Sequence, residues 1–153
     1  MTRPIRLIGC LVAALATSAV IADVVPPEKI TIEGLSVSDS LSGQPGDPVA
    51  GREAFADRKL GNCLACHANA DLAEEQLFHG EVGPALDGSG GRWSEEQLRA
   101  IVVNSKAVFG EQTIMPGFYS LDVGEDVRED LVGQTILTAQ QVEDVVAYLA
   151  TLK

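Results

Sequence analysis

Residues 63–67 read Cys63-Leu64-Ala65-Cys66-His67, and this stretch decides the fold. On a helical turn, cysteines at i and i+3 lie on one face, and a histidine at i+4 shares that face. Two such thiols can add to the two vinyl groups along one porphyrin edge, while the imidazole reaches the iron. Cys-x-x-Cys-His is accordingly the attachment signature of a c-type haem. The sequence therefore predicts one covalent haem c, anchored by Cys63 and Cys66, with His67 as the first iron ligand.

Three other uses of a closely spaced cysteine pair fit the sequence less well. A structural zinc site needs four ligands, usually from a second close pair, but His67 and His79 are too far apart for that spacing. A thioredoxin-like redox pair needs a βαβ context, which is missing. An inert disulfide suits an oxidising compartment but leaves His67 unexplained. Only the haem interpretation uses all three residues.

The start of the chain predicts a secretory signal. Arg3 and Arg6 precede an apolar stretch over residues 7–22 that ends in small residues. This pattern is typical of a cleaved signal and is marginal in length for a membrane span. Cys10 ends a sequence, LIGC, that resembles a lipoprotein cleavage box, but the apolar run continues past it. We therefore expect cleavage after Ala22.

The composition is that of an acidic globular protein. The chain has 153 residues, enough for one ordinary domain, and 46% of them are hydrophobic. The net charge is −11, and loss of the predicted signal, which contains two arginines and no acidic residue, makes it −13. Such a chain repels nucleic acid and anionic membranes. It favours basic protein partners.

The chain is expected to have three segments. Residues 1–22 form the signal, and residues 23–46, rich in Pro, Gly, Ser and Asp, form an extended arm in which residues 30–32 are compatible with a short strand. Residues 47–153 form the folded domain. Because helical patterns alternate there with long loops and no strand pattern repeats, we predict an all-α fold wrapped around one covalent haem.

Capping residues and apolar spacing predict three helices in this domain. Asp47 precedes Pro48 at the first position of a helix that should extend to about residue 59. Residues 94–97 and 138–141 are capping boxes that open two further helices. The expected buried residues are Val49, Phe55 and Ala56, then Leu98, Ile101 and Val102, and finally Val142, Val145, Val146, Leu149 and Leu152.

The second iron ligand must come from elsewhere in the chain. Met115 is the single methionine left after signal cleavage, and it lies on a Pro-terminated loop. A lone methionine is ordinarily core filler, but a thioether opposite a histidine is the common arrangement in electron-carrying cytochromes. We therefore predict that His67 and Met115 bind the metal. His79 is the competing ligand, and is otherwise expected to be a solvated surface histidine.

From residue 47 onwards the chain resembles the class I cytochrome c family. Gly51 and Phe55 in the first helix, with Val145 and Tyr148 in the last, resemble the family's close helix crossing, where glycine lets the helices approach. The resemblance implies the class I cytochrome c fold.

Residues 83–86, Gly-Pro-Ala-Leu, resemble the family segment whose proline carbonyl orients the proximal imidazole. The resemblance implies that the Pro84 carbonyl accepts a hydrogen bond from the nitrogen of His67 that does not bind iron. Such a bond would restrain the ring of an iron ligand. Pro84 is therefore a candidate cofactor-site residue, although Gly-Pro is also a common turn.

A narrower resemblance, over most of the chain after the predicted signal, is to the SoxX family of monohaem cytochromes from the bacterial thiosulfate-oxidising Sox system. The sequences concerned are Pro-Gly-Asp-Pro at 45–48, the stretch 60–68 around the haem motif, Thr-Ile-Met-Pro at 113–116, and Ile-Leu-Thr-Ala-Gln-Gln-Val-Glu-Asp-Val-Val-Ala-Tyr-Leu at 136–149. The last run is the most specific after the haem motif.

The SoxX resemblance implies an electron-transfer subunit of the periplasmic SoxAX complex. The larger SoxA partner is expected to conjugate thiosulfate oxidatively to a carrier-protein cysteine, an L-cysteine S-thiosulfotransferase type of reaction. This chain then has no catalytic residue of its own, and passes electrons to a small downstream cytochrome c. Neither nucleic acid nor, after signal cleavage, a membrane is expected as a partner. The alternative is a free-standing class I cytochrome c that shuttles electrons.

Two surface expectations follow. The contact with the partner is expected around the ligand loop, at Ile114, Pro116, Phe118 and Tyr119, which are equally compatible with packing inside the domain. The acidic stretch 122–130 matches no feature of the family and is expected to be a solvated loop.

Overall fold

The computed structural model describes residues 23–153, and the predicted signal with Cys10 lies outside the described residues. The predicted all-α fold is confirmed, because the only strand-like feature in the described range is an isolated bridge between Glu33 and Ser36. No strand forms at residues 30–32. No helix in the described range is long and apolar enough to cross a membrane. The helices are α1 (Pro48–Ala56), α2 (Ser89–Arg92), α3 (Glu95–Phe109) and α4 (Ala139–Thr151), with short 3-10 turns at Pro27–Lys29, Cys63–Ala65, Ala70–Leu72 and Glu129–Leu131.

Helix α1 begins as predicted and ends early. The Asp47 side chain accepts a hydrogen bond from the Val49 N–H at 2.8 Å, and Pro48 occupies the first position. The helix stops at Ala56 and not near residue 59, because Asp57 adopts an extended backbone. The Asp57 carbonyl then accepts from the Asn62 N–H at 3.0 Å. The resulting turn leads the chain directly into the Cys-x-x-Cys-His stretch.

Both predicted capping boxes are present. The Ser94 hydroxyl accepts from the Gln97 N–H, and the Gln97 amide oxygen accepts from the Ser94 N–H at 3.0 Å. Thr138 and Gln141 make the same pair of bonds at the start of α4. Each box satisfies two backbone donors that a helix start otherwise leaves unpaired. Sequence reasoning did not foresee that α3 is interrupted at Asn104, whose φ and ψ are −155° and 89°.

The core is centred where α1 crosses α4. Gly51 lies so close to α4 that a Cβ atom added to it would be 1.9 Å from the Asp144 carbonyl oxygen. The rings of Phe55 and Tyr148 meet edge to face, with centroids 5.4 Å apart. Val145 is buried beside them. The close crossing that the family resemblance implied is therefore a feature of this fold.

The buried faces of α3 and α4 follow the predicted spacing. Leu98 and Val102 are buried on α3, whereas Ile101 is only half-buried. On α4, Val142, Val145, Val146 and Leu149 are buried, and Leu152 is half-buried. In α1 the prediction is correct for Phe55 but wrong for Val49, which is 68% exposed because it lies on the outer side of the first turn.

The segment 23–46 is irregular but is held against the helices. Leu41 is buried, and its N–H donates to the Glu143 carboxylate at 2.8 Å. Glu143 also pairs with Arg99 at 2.9 Å, and both side chains are almost fully buried. Arg99 donates in addition to the Val37 carbonyl at 2.8 Å. One buried ion pair between α3 and α4 therefore also anchors the arm.

The close crossing of α1 and α4 predicts that one methyl group added at Gly51 strongly lowers the free energy of unfolding. In Gly51→Ala the new Cβ meets the backbone of α4, which cannot move aside as a flexible side chain can. We expect the free energy of unfolding to fall by about 3 kcal/mol, the upper end of overpacking costs. Urea unfolding of the haem-loaded protein measures it. Gly91→Ala is the control: nothing lies within 4 Å of its added Cβ, so its change should stay within about 0.5 kcal/mol. Equal stability of the two variants would contradict the close crossing.

Candidate functional site

One large cavity gathers the predicted site residues. Its volume is about 1030 Å³, and Cys63, Cys66, His67 and Met115 all line it. The walls are mainly apolar and include Leu86, Trp93, Leu98, Ile101, Phe118 and Leu137. This combination of thiols, an imidazole, a thioether and apolar walls fits a flat apolar group with a metal at its centre.

The backbone around the cysteines is tightly turned. Asn62 takes the left-handed conformation, with φ of 48°, and a 3-10 turn follows over Cys63–Ala65. The N–H groups of Cys66 and His67 both donate to the Cys63 carbonyl, at 3.1 and 3.0 Å. This turn brings the two thiols and the imidazole to one wall of the cavity.

The Cys63 and Cys66 sulfurs are not joined to each other in this structure. Before haem attachment, burial raises the pKa of the Cys63 thiol to about 12. The inert disulfide considered as an alternative is therefore absent between these two residues. Within residues 23–153 there is also no cluster of three or more His, Cys, Asp and Glu side chains that could hold a metal ion.

The imidazole of His67 is held in one orientation. Its Nδ1 lies 2.7 Å from the Pro84 carbonyl oxygen. Because a carbonyl only accepts hydrogen bonds, Nδ1 bears the proton and Nε2 keeps its lone pair for a metal. Gly83 packs against the ring so closely that a Cβ there would be 2.3 Å from Cε1. The contact that the resemblance implied for Pro84 is thus present, and Gly83 is a further residue that shapes the site.

Met115 reaches the cavity from the loop after α3. Its side chain is half-buried, while the neighbouring Ile114 is 77% exposed at the cavity rim. Phe118 and Tyr119, considered as partner contacts, are 7% and 5% exposed and belong to the core. Their N–H groups donate to carbonyls of α3, which draws both side chains inward. Of the two predicted alternatives, packing inside the domain therefore holds for Phe118 and Tyr119, whereas Ile114 and Pro116 are exposed.

His79 does not line the cavity. It is half-buried and not solvated as expected, because its Nδ1 accepts a hydrogen bond from the Asn69 N–H at 3.2 Å. Its Nε2 is buried without a hydrogen-bond partner in the described part of the chain. The residue holds the segment after the haem motif and does not compete with Met115 for a place in the cavity.

A polar network that the sequence did not reveal holds the segment after His67. Arg52 on α1 pairs with Asp71 at 2.9 Å and with Glu75 at 2.8 Å. The Tyr148 hydroxyl donates to Asp71 at 2.8 Å and accepts from the fully buried Asn69 at the same distance. The segment is thereby tied to both crossing helices. No local spacing indicates these pairs, because their members lie far apart in sequence.

The charges of this network shift the pKa values of its carboxyl groups and of the Tyr148 hydroxyl. The Arg52 guanidinium and then the Tyr148 hydroxyl hold the pKa of Asp71 below its usual range. Arg52 likewise lowers the pKa of Glu75. Burial, followed by the bond to Asp71, raises the pKa of Tyr148. At neutral pH the carboxylates of Asp71 and Glu75 are therefore ionised, and the Tyr148 hydroxyl keeps its proton.

The fold and the cavity together define a class of protein. The family model for cytochrome c matches residues 48–153, so the chain belongs to the cytochrome c family. It has covalently bound haem c as its cofactor, and its function is electron transfer.

Comparison with solved structures indicates which kind of cytochrome c the chain resembles. A chain in the crystal structure of SoxXA from P. pantotrophus is 41% identical to this one, with a TM-score of 0.78. The match covers 86% of this chain and 99% of that chain. The resemblance to SoxX that the sequence predicted is confirmed. No curated protein sequence matches the chain.

The lowered pKa of Asp71 predicts how stability depends on acid. Ionised Asp71 is stabilised in the fold, so its contribution is present above the unfolded pKa of about 4 and is lost as the pH falls through the folded value. We expect Asp71→Asn to remove this loss and to flatten the decline of unfolding free energy below about pH 4 by up to about 1 kcal/mol, as for partly exposed ion pairs. Urea unfolding across pH 2–6 measures it. Glu74→Gln, at an exposed neighbour with no bond to Arg52, should keep the wild-type profile. Identical profiles for both variants would argue against the network.

Proposed function

We propose that this chain is the electron-transfer subunit of a periplasmic SoxAX-type complex. In this proposal Cys63 and Cys66 attach the haem, and His67 and Met115 bind its iron. The main support is that one apolar cavity brings all four side chains together. The likeness to a chain of SoxXA supports the assembly.

The residues of the site suit a reversible electron carrier. Haem c bound here supplies an iron that gains and loses one electron. His67 offers Nε2 in a fixed direction because Pro84 accepts the proton on Nδ1. Met115 offers a soft thioether, which favours ferrous iron and raises the reduction potential. If His67 and Met115 both bind the iron, the haem would have no open position for thiosulfate, and the sulfur chemistry would belong to the partner subunit.

The cavity rim is suited to contact with a larger SoxA-like cytochrome. Val82, Phe109 and Ile114 line the cavity and are 66%, 53% and 77% exposed. Apolar side chains exposed at one rim are typical of a protein contact site. Electrons from thiosulfate oxidation on the partner enter over this edge and leave to a small cytochrome c. The net negative charge favours encounter with a basic carrier.

The periplasmic location and the domain limits also belong to the proposal. Residues 1–22 act as a cleaved secretory signal, and covalent haem attachment at a Cys-x-x-Cys-His motif suits an exported chain. The cytochrome domain begins at residue 47, one residue before the start of the family match. The arm at residues 23–46 packs on this domain through Leu41 and Val37.

Axial ligation is tested by Met115→Ala. We expect this variant to lose the near-red charge-transfer band of the ferric protein and to have a lower midpoint potential, because the soft thioether that favours ferrous iron is gone. Absorption spectroscopy and a redox titration measure the two changes. Ile114→Ala, which truncates the exposed neighbouring side chain, should keep the band. A band that survives in Met115→Ala, or disappears only in His79→Ala, would overturn the assignment.

Partnership is tested with a SoxA-type partner, thiosulfate and the carrier protein. The wild-type chain should form a tight complex, and its haem should be reduced when thiosulfate is added. Ile114→Asp places a charge on the rim and should weaken the complex about tenfold, as expected for a central contact. Leu77→Asp is the matched control, since Leu77 is 97% exposed and away from the cavity.

The same experiment separates the two predicted roles. Complex formation with thiosulfate-dependent reduction supports the subunit. A chain that forms no complex and exchanges electrons rapidly with the electron donors of a terminal oxidase is a free-standing shuttle. Equal affinities for the Ile114→Asp and Leu77→Asp proteins would place the contact elsewhere than the cavity rim.

A further inference from the structure

The interruption of α3 at Asn104 creates a binding site for the loop that contains Met115. In an unbroken helix the Val103 carbonyl accepts from the N–H four residues later. Here the Ala107 N–H donates to the Asn104 side chain at 3.3 Å. The Val103 carbonyl accepts from the Tyr119 N–H at 3.2 Å, beyond the methionine. At the helix break, a carbonyl of α3 is therefore bonded to the loop.

Two side chains just after the break bind the loop on the other side. Ser105 is completely buried, and its hydroxyl donates to the main-chain carbonyl of Met115 at 2.6 Å. The next residue, Lys106, donates from its ammonium group to the Thr113 carbonyl at 2.5 Å. Main-chain groups before, at and after Met115 are thus all bonded to one short segment of α3.

The loop also has little freedom of its own at this point. Gly117 follows Met115 by two residues, and a Cβ there would lie 2.9 Å from the Ser120 Cβ and 3.0 Å from the Val103 carbonyl oxygen. The loop therefore fits closely against the helix break. Its most buried polar link is the bond from Ser105, because no exposed atom of that residue remains to bind water.

We propose that Ser105, assisted by Lys106, is a positioning residue for Met115. This inference rests on the proposed ligation of the haem iron by Met115. The hydroxyl fixes the main chain of the very residue whose thioether must remain in the cavity. Without the hydroxyl the Met115 carbonyl loses this donor, the loop loosens, and the thioether competes less well against an external ligand.

The test is a titration of the ferric haem-loaded protein with imidazole, which competes with the thioether for the iron. In Ser105→Ala we expect the apparent dissociation constant for imidazole to fall by about five- to tenfold, as the loss of one buried hydrogen bond implies. The charge-transfer band should weaken and the midpoint potential should fall. Ser105→Thr retains the hydroxyl and should restore the wild-type constant.

Ser42→Ala is the matched control. Ser42 is also buried, at 6% exposed, and its hydroxyl donates to the Gln44 carbonyl at 3.2 Å, in the arm and outside the cavity lining. It should lose a similar amount of stability while its imidazole affinity and band stay at wild-type values. If Ser105→Ala does not load haem, Lys106→Met removes the second donor and should also tighten imidazole binding.

The outcomes distinguish this inference from the proposed function. If the wild-type protein has the band, Met115→Ala abolishes it, and Ser105→Ala and Lys106→Met titrate like Ser42→Ala, the positioning role is wrong and the ligation stands. If Met115→Ala leaves both the band and the imidazole affinity unchanged, the ligation itself fails, and the positioning role fails with it. Tighter imidazole binding in Ser105→Ala, restored by Ser105→Thr, supports the proposal.

Discussion

The close approach of α1 to α4 at Gly51 is the contact on which the rest of the structure depends. A backbone-to-backbone approach of this kind is possible only where one helix has no side chain. It sets the distance at which Phe55 and Tyr148 meet, and so fixes the Tyr148 hydroxyl in reach of Asp71. The segment that leaves the haem motif is therefore placed by a contact between two helices that are distant in sequence.

Two ionic groups consolidate this frame in different ways. The pair of Arg99 and Glu143 is buried and has further hydrogen bonds to the arm, so removal of one partner would leave an isolated charge, at a cost of about 3–5 kcal/mol. The network of Arg52 is partly exposed, and its value lies more in orientation than in stability. The first group fixes the arm to the helices, and the second fixes the segment after the haem motif.

The sequence predicted what local chemistry determines. Helix starts follow from residues that cap them, which is why the positions of Asp47, Ser94 and Thr138 were correct. The spacing within the five-residue haem motif likewise determines locally that the two thiols and the imidazole lie together. The end of α1 was misplaced because it depends on a backbone bond from Asn62, and the burial of Phe118 was left open because it depends on where a loop docks.

The parts that escaped prediction are those made by contacts between distant residues. No spacing rule connects Ser105 with Met115, and the break at Asn104 interrupts a helix whose apolar pattern continues past it. The apolar spacing predicts an unbroken helix there, but tertiary bonds to the loop compensate for the lost helical geometry. The burial of His79 was not predicted for the same reason, because its position depends on a hydrogen bond from the Asn69 backbone.

The bond between Leu41 and Glu143 joins residues 102 positions apart. A polypeptide is made from its N-terminus, so Glu143 and the rest of α4 arrive after the two cysteines. Until they do, the arm has no anchor, α1 has no partner at Gly51, and the motif lies in an open chain whose thiols an attachment enzyme can reach. The packing that encloses the haem motif thus depends on the part of the chain that is made last.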